Sequence, residues 1–304
     1  MYPITGAKEC GPFAAHIFEK KKPVQMAMTD SVQPDVSAVP VSPERHGARR
    51  WRRFTSYAFA RHLRDVSVVL AEIEPAASAF PLVFKQDTEG WDVLALLATS
   101  DKARGVFVTP EGKWRGTYVP SGLRAYPFVA EAVGGDGQNI LMIDESSGLV
   151  TDNPQDEPFF EEDGQVAQPL AQVITFFQTR AASQKETRDA ANALAKAGVL
   201  TELTPLRGMT PEDTAGYCMV DQAKLAALPD HLISDLWGIG ALRLAQAQLV
   251  STHHLGWITR IAAAGLGDTD HKAVHAQDTS PPQTVATFLS ALADAQAAET
   301  SEQE

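Results

Sequence analysis

The stretch PLVFKQDTEGWDVLALLA, residues 81–98, decides the fold of the first half of this chain. Two runs of apolar and β-prone residues flank the turn QDTEG, in which Asp and Gly favour chain reversal. This pattern predicts a hairpin, because a short turn joins only strands that run in opposite directions. The first half of the chain is therefore expected to form an antiparallel sheet.

The β pattern continues on both sides of this hairpin, over residues 66–145. VSVVLAEI, residues 66–73, is typical of a strand that precedes it. A second hairpin is predicted to join GVFVT to WRGTYV through PEGK, residues 110–113. A third is predicted to join AYPFVAEAV to NILMID through GGDGQ, residues 134–138. Three successive hairpins predict an antiparallel β-meander.

From residue 167 the apolar period changes from two to 3.6, which predicts a helical region over 167–265. The stripe that predicts its first helix consists of Leu170, Val173, Ile174 and Phe177. KETRDAANALAKAG predicts a second helix that ends at Gly198, and two more follow over 228–240 and 241–265. The short strand TAGYCMVD interrupts them, and Asp221 is placed to cap the next helix. The predicted fold class is α+β, with the antiparallel β-meander of the N-terminal half packed against the C-terminal helical region.

The two ends of the chain differ from this middle part in composition. Residues 1–43 are rich in proline and lack periodicity, which predicts a flexible N-terminal arm, and an internal start at Met26 or Met28 stays open. Residues 44–265 are expected to form one α+β domain. Residues 266–304 predict an acidic, flexible tail that carries a short amphipathic helix.

Charge and hydropathy restrict the environment of the protein. The formal net charge is −12, and an acidic protein disfavours non-specific contact with phosphate backbones. No apolar run approaches the roughly 18 to 20 residues that a membrane-spanning helix needs. The N-terminal positive charges follow a weak apolar patch, the reverse of the order in a secretory signal. We therefore expect a soluble, cytoplasmic protein without a membrane span.

Metal ligation is not indicated by the histidines, cysteines or carboxylates. His253 and His254 are adjacent, so on a helix they point about 100° apart and lack ligands one turn away. His271 and His275 have i, i+4 spacing but lie in a Gly, Ser and Pro-rich stretch. The acidic segment 152–164 lacks the alternating ligand spacing of a calcium loop. No metal and no cofactor are expected.

Catalytic motifs are equally absent from the sequence. It contains no G-x-S-x-G nucleophile elbow, no HExxH and no G-x-x-x-x-G-K-[ST] loop. GIGALR at 238–243 follows no strand, so it does not indicate a dinucleotide site. No catalytic residue is assigned, and whether the protein is an enzyme stays open, with a non-catalytic role favoured.

The segment RHGARRWRRFTSYAFARHLR, residues 45–64, interleaves arginines with aromatic residues. Such interleaving is compatible with binding to single-stranded nucleic acid or to an acidic partner. The simpler interpretation is a helix beginning near Thr55, whose apolar face packs on the sheet while the arginines face water or the acidic body of the chain. We favour this second interpretation, so nucleic acid is not expected as a partner.

The segment GKWRGTYVPSGLRAYPF, residues 112–128, supplies the candidate ligand-binding residues. These candidates are Trp114, Arg115, Tyr118, Arg124 and Tyr126. Strand alternation places Trp114 and Tyr118 on one face and Arg115 on the other, unless Gly116 forms a bulge. Arg124 and Tyr126 share a parity that allows a guanidinium-on-ring contact or an anion site. A purely structural corner is the other interpretation, and it is the one we favour.

The chain resembles the SapC family of bacterial proteins in four segments that keep their order and approximate spacing. These segments are PLVFK, GVFVTPEGKWRGTYVPSGLRAYPF, ILMIDE and CMVDQAKLAALPD. The resemblance runs from about residue 41 to 265. The family is named for a gene cluster for surface-layer protein secretion, and its members look like soluble accessory proteins of Gram-negative bacteria. A peptide-transport permease shares the name but is unrelated.

The resemblance favours one functional hypothesis over two others. It implies an accessory or binding protein of a bacterial surface-protein secretion or outer-membrane uptake system, acting through contacts with a protein partner. The alternative is an enzyme or small-molecule-binding protein with a pocket between sheet and helices, lined by the arginines and tyrosines of 112–128. Nucleic-acid binding through 45–64 is the weakest of the three.

Overall fold

A computed structural model describes residues 38–133, 138–206 and 208–263. The predicted arm and tail fall mainly outside these ranges and stay predictions. The strands are β1 (Ala38–Pro40), β2 (Arg50–Trp51), β3 (Asp65–Ser67), β4 (Leu82–Gln86), β5 (Trp91–Leu96), β6 (Phe128–Val133), β7 (Gln138–Asp144), β8 (Val150–Thr151), β9 (Glu157–Pro158), β10 (Leu200–Glu202) and β11 (Tyr217–Val220). The α-helices are α1 (Pro43–His46), α2 (Ile73–Ala77), α3 (Ser121–Arg124), α4 (Gln168–Lys196), α5 (Pro211–Thr214), α6 (Gln222–Ala226), α7 (Asp230–Gly238), α8 (Ala241–Ser251) and α9 (His253–Ala263).

The hairpin predicted over 81–98 is confirmed and lies inside the largest sheet. β4 pairs with β5 in antiparallel register from Leu82 opposite Ala95 to Gln86 opposite Trp91. The Asp87 carboxylate closes the turn by accepting the backbone N–H groups of residues 89 and 90. The sheet order is β10-β11-β4-β5-β3, so the predicted strand near 217 pairs with β4. The α+β class with antiparallel sheets is confirmed.

The other two predicted hairpins lie outside this sheet. β6 and β7 form the third hairpin, but their three-stranded sheet has the order β1-β7-β6. The second hairpin is reduced to one isolated bridge between Val108 and Trp114. A third small sheet, β8-β2-β9, includes part of the basic segment. The hairpins are thus distributed over separate sheets instead of following one another in a single meander.

The predicted strand 66–73 ends early because its backbone donors bind side chains. After β3, the N–H of Leu70 donates to Thr187 Oγ1 (2.7 Å) and that of Ala71 to Ser183 Oγ (3.1 Å). Both acceptors belong to α4, so this helix replaces a neighbouring strand as hydrogen-bond partner. The chain then turns through Glu72 into α2.

Helix α4 replaces the two helices predicted over 167–198 with one of 29 residues. Its N-terminal half packs its apolar stripe on a small core that contains Trp51, Phe128, Ile143 and Phe159. Its C-terminal half packs Ala190, Ala191 and Leu194 into the main core over the five-stranded sheet. The predicted stop is confirmed, because Gly198 has a positive φ of 72° just beyond the helix.

Helix α8 continues the hydrogen-bonding of the sheet with side chains. Gln248 is buried and bridges two strands, accepting from Val220 N (3.0 Å) and donating to Leu82 O (3.1 Å). Ser251 Oγ accepts the N–H of Leu82 at 2.9 Å. The helix predicted over 241–265 breaks at Thr252, which separates α8 from α9. The predicted cap is confirmed, because the Asp221 carboxylate accepts two N–H groups of α6.

Candidate ligand-binding site

Trp114 forms the isolated β-bridge with Val108 and precedes helix α3 in the chain. Its indole Nε1 donates to the backbone oxygen of Tyr118 at 2.8 Å, and its ring stacks with Phe107 at 5.9 Å. A Cβ on Gly116 would lie 2.8 Å from that nitrogen, which is closer than real Cβ atoms approach. Glycine is therefore needed at 116 for the indole to reach Tyr118.

Arg115 also serves the local backbone. Its N–H donates to Phe107 O (2.9 Å), and its Nη1 lies 3.4 Å from Val106 O. Arg115 and Trp114 do not line either of the two cavities described below. Of the five candidate residues, these two therefore contact the local backbone and line neither cavity.

A buried carboxylate, which sequence reasoning missed, organises the corner that follows. Glu72 Oε2 accepts from Tyr118 Oη (2.7 Å) and from the N–H of Ser121 (2.8 Å), while its Oε1 accepts from Ser121 Oγ and from the N–H of Val69 (3.2 Å). Arg124 Nη2 lies 3.9 Å from Oε2. We call Glu72, Tyr118, Ser121 and Arg124 the Glu72 cluster. A carboxylate within the apolar run VSVVLAEI was the available sequence signal, because buried carboxylates require donors.

The guanidinium-on-ring contact predicted from parity exists, but with a different ring. The Arg124 guanidinium carbon lies 4.9 Å from the centre of the Tyr118 ring, and Arg124 Nε donates to Val119 O at 2.8 Å. Burial, followed by the hydrogen bond to Glu72, raises the pKa of Tyr118 to about 12. The phenol is therefore protonated near neutral pH, and its proton is donated to Glu72.

Tyr126 lies within a group of aromatic rings. It stacks face to face on Phe59, with ring centres 3.9 Å apart and planes at 8°. Phe54 contacts the edge of Tyr126 at 6.1 Å and that of Tyr57 at 5.1 Å. The segment 54–59 thus forms an aromatic wall, although the helix predicted from Thr55 is only a 3₁₀ turn at Ala58–Ala60.

These rings line a groove of roughly 510 Å³ between the segment 51–57, the corner at 124–128 and the start of α4. We call it the Arg53–Arg124 groove. Its lining includes Arg53, Arg124, Phe54, Tyr57, Tyr126 and Phe176. Two guanidinium groups and several aromatic rings therefore share one concavity. The structure brings Arg124 and Tyr126 together there, with Tyr118 packed against Arg124.

Arg53 differs from three other arginines of the basic segment, which are paired with carboxylates. Arg45 binds Glu145 through Nε and Nη2, and this contact lowers the pKa of Glu145 to about 2. Other arginines of the segment contact carboxylates elsewhere: Arg49 contacts Asp152 at 2.6 Å, and Arg64 contacts Asp213 at 3.7 Å. Within the ranges that the structure describes, no hydrogen bond or ion pair engages the Arg53 guanidinium. Three arginines of the segment are thus paired with carboxylates, and Arg53 remains available to the groove.

The histidines that the structure describes do not line either cavity. His253 Nδ1 contacts Val250 O at 2.9 Å, and His254 Nε2 contacts Ala77 O at 3.2 Å. His46 is fully buried beside Phe159, and burial lowers its pKa. Among the described residues, no group of three or more His, Cys, Asp or Glu side chains is arranged to hold a metal ion.

The sheets, the helices and the groove define an α+β domain with a cavity of the size that small ligands occupy. A family model described as SapC matches residues 41–257, so the chain belongs to the SapC family. No curated protein and no solved structure matches the chain. In the part of the chain that is described, no helix is long and apolar enough to cross a membrane.

Proposed function

We propose that this SapC-family chain is a binding protein whose groove holds an anionic ligand with an apolar or aromatic body. The observation that carries the proposal is the pair Arg53 and Arg124 at a groove walled by aromatic rings. Guanidinium groups bind carboxylates, sulfonates and phosphates through paired hydrogen bonds, and aromatic rings accept the flat or apolar remainder. The volume, roughly 510 Å³, falls within the range of small-molecule sites.

Charge distribution favours an anion over a neutral ligand. Arg53 is exposed and unpaired among the described residues, and only part of the Arg124 charge is offset by Glu72 at 3.9 Å. No acidic residue lines the groove. An anion entering it therefore meets two cations without having to displace a carboxylate.

A fluorescence titration with 8-anilinonaphthalene-1-sulfonate, an aromatic anion, tests this proposal. Wild-type protein is expected to bind it saturably, and Arg53→Ala should raise the Kd about tenfold, the effect of one lost charge-assisted contact. Arg52→Ala is the matched control, because it removes the same charge one residue away and Arg52 does not line the groove. Arg124→Ala should weaken binding at least as much.

Equal weakening by Arg52→Ala and Arg53→Ala would show a non-specific charge effect and would contradict the proposal. Unchanged affinity in both Arg53→Ala and Arg124→Ala would place the dye elsewhere. Far-ultraviolet circular dichroism and the thermal midpoint of each variant establish that the fold is retained. Arg53 has no described contact to lose, so its variant is expected to melt at the wild-type temperature.

A second candidate function is that of a cytoplasmic accessory protein for surface-protein secretion or outer-membrane uptake. It is favoured by an exposed apolar surface on α7, where Trp237 is 75% exposed and Ile233, one turn earlier, is 37% exposed. Large exposed apolar side chains are frequent in protein interfaces. Affinity capture from the native host should recover a secretion or receptor component with wild-type protein and Arg53→Ala, but not with Trp237→Ala. Capture that is equal for all three variants would contradict this role for α7.

A further inference from the structure

A second cavity lies beside the groove, on the other side of Phe128. It has a volume of roughly 260 Å³ and is bounded by β3, α3, β6 and the middle of α4. Its polar lining consists of Ser67, Ser121, Arg180 and Gln184, and its apolar lining includes Phe128 and Phe177. We call it the Arg180 cleft. It is separate from the proposed groove, because Arg53 and Arg124 do not line it.

Arg180 is held in this cleft entirely by neutral acceptors. Its Nε donates to Ser121 Oγ at 3.1 Å, and its Nη2 donates to Ser67 O at 3.1 Å and to Ser67 Oγ at 3.2 Å. Across the part of the chain that the structure describes, no carboxylate lies within 4.0 Å of its nitrogens, and Nη1 has no partner. Two of the guanidinium nitrogens thus fix its orientation, while the third is available.

Next to the cleft, two arginines, Arg124 and Arg180, face one carboxylate, Glu72, which leaves one positive charge in excess among these three groups. Glu72 reaches Arg180 only through the Ser121 hydroxyl, and the same carboxylate also faces Arg124. The next carboxylate, Asp92, binds Gln184 Nε2 at 2.9 Å and is paired with Arg188 at 2.8 Å. Burial lowers the pKa of Arg180, yet a guanidinium in a protein stays protonated. A partly desolvated cation without a contacting carboxylate is stabilised by an anion that enters from outside.

Glycine at position 122 keeps the cleft open next to Arg180. A Cβ there would lie 2.8 Å from Val66 Cγ2 and 3.6 Å from Arg180 Nη2. A side chain there would therefore crowd Val66 and come into contact with the guanidinium. This position does not have a positive φ, so the reason for glycine here is space and not backbone conformation.

We propose that the Arg180 cleft binds a small monocarboxylate with a short aliphatic chain. One excess positive charge matches a monoanion, whereas a phosphate dianion would bring a second negative charge close to Glu72 and Asp92. The apolar side of the cleft, with Phe128 and Phe177, accommodates an alkyl chain that phosphate lacks. The carboxylate oxygens would accept from Arg180 Nη1, and the chain would lie against the phenyl rings.

Isothermal titration calorimetry with butyrate tests the proposal on the full chain. Butyrate is expected to bind with one-to-one stoichiometry, whereas butanamide, which has nearly the same shape without the charge, and inorganic phosphate should bind at least tenfold more weakly. Arg180→Gln should raise the Kd for butyrate at least tenfold. Arg53→Ala is the control that leaves this cleft intact and affects only the groove, so the two sites can fail independently.

A second variant covers the case in which Arg180→Gln does not fold. Ala130 is exposed on β6 and lines the cleft, so Ala130→Leu reduces its volume without removing a hydrogen bond of Arg180. This variant should also lose butyrate binding. Undiminished butyrate affinity in Ala130→Leu, equal affinity for butanamide, or preferential binding of phosphate would each overturn the proposal.

Discussion

Arg180 and Arg188 lie eight residues apart on α4, on the side that faces the sheet, yet they have opposite environments. Arg188 binds Asp92 through Nε (2.8 Å) and Nη2 (3.0 Å), binds Asp87 at 2.9 Å and also contacts Glu89. Arg180 is held by hydroxyl and carbonyl oxygens only. One guanidinium is surrounded by three carboxylates of the β4-β5 hairpin, whereas the other is in contact with none among the described residues.

This difference distinguishes Arg188, an arginine that stabilises the fold, from Arg180, an arginine that is available to bind an anion. Three carboxylates around Arg188 leave an excess of negative charge, so the site has no affinity for a further anion. Around Glu72 the ratio of carboxylates to arginines is reversed, because two arginines, Arg124 and Arg180, face one carboxylate. The residue type, the helix and the helix face are the same at both positions. The neighbouring segments of the chain therefore decide whether an arginine stabilises the fold or is available to a ligand.

The largest expected effect follows from removing Glu72, the carboxylate that faces both Arg124 and Arg180. Glu72→Ala should lower the free energy of unfolding by about 3 kcal/mol, because it leaves buried donors of Tyr118 and Ser121 without an acceptor. Urea unfolding measures the change. Glu74→Ala is the matched control, since this exposed carboxylate is paired with Arg243 at the surface, and its removal should cost less than about 1 kcal/mol. Equal losses in the two variants would contradict the central role of the Glu72 cluster.

The comparison of the two arginines predicts two smaller losses of stability that differ in size. Arg188→Gln should cost about 2 kcal/mol, because Asp92 then stays half-buried without its cation. Arg180→Gln should cost less than about 1 kcal/mol, because burial already disfavours the charge and only neutral hydrogen bonds are lost. Parallel urea titrations of both variants measure the two losses in the free energy of unfolding. If Arg180→Gln were the more destabilising change, Arg180 would be the structural residue.

The smallest expected effect is spectroscopic and concerns Tyr118. The chain contains five tyrosines. Because the pKa of Tyr118 is raised to about 12 in the folded protein, Tyr118 should ionise late in an absorbance titration at alkaline pH. Because the pKa in the unfolded chain is near 10, the associated stability is present below pH 10 and is lost as the pH rises towards 12. Tyr118→Phe should reduce the late component by one tyrosine. A titration in which all five tyrosines ionise together near pH 10 would contradict the hydrogen bond to Glu72.

Local patterns were sufficient to predict many of the elements but only part of their bounds and pairing. The β4-β5 and β6-β7 hairpins, the Gly198 stop and the Asp221 cap are determined by neighbouring residues, which is why they are confirmed. The early end of the strand after Ser67 depends on hydroxyl groups of α4 more than 110 positions away. No period in the sequence carries that information.

The candidate site shows the same division between residues that a local pattern identifies and residues that only the fold brings together. Arg124 and Tyr126 were identified within one unusual run of arginines, aromatics and glycines, and they do line a groove. Arg53 was assigned to a different segment, and Glu72 and Arg180 were not identified at all. Trp114 and Arg115, which were candidates, contact backbone atoms near them instead. Residues that come from distant segments cannot be grouped by spacing along the chain.

The sequence by itself determined that this is an α+β member of the SapC family, because apolar periodicity, turn residues and the motif run at 105–128 are local properties. Only the tertiary structure decided which charges meet. Arg45, Arg49 and Arg64 contact carboxylates from distant segments, while Arg53 and Arg180 do not. The physical reason is that an ion pair depends on distance in space, and packing against α4 fixes that distance after the local elements have formed.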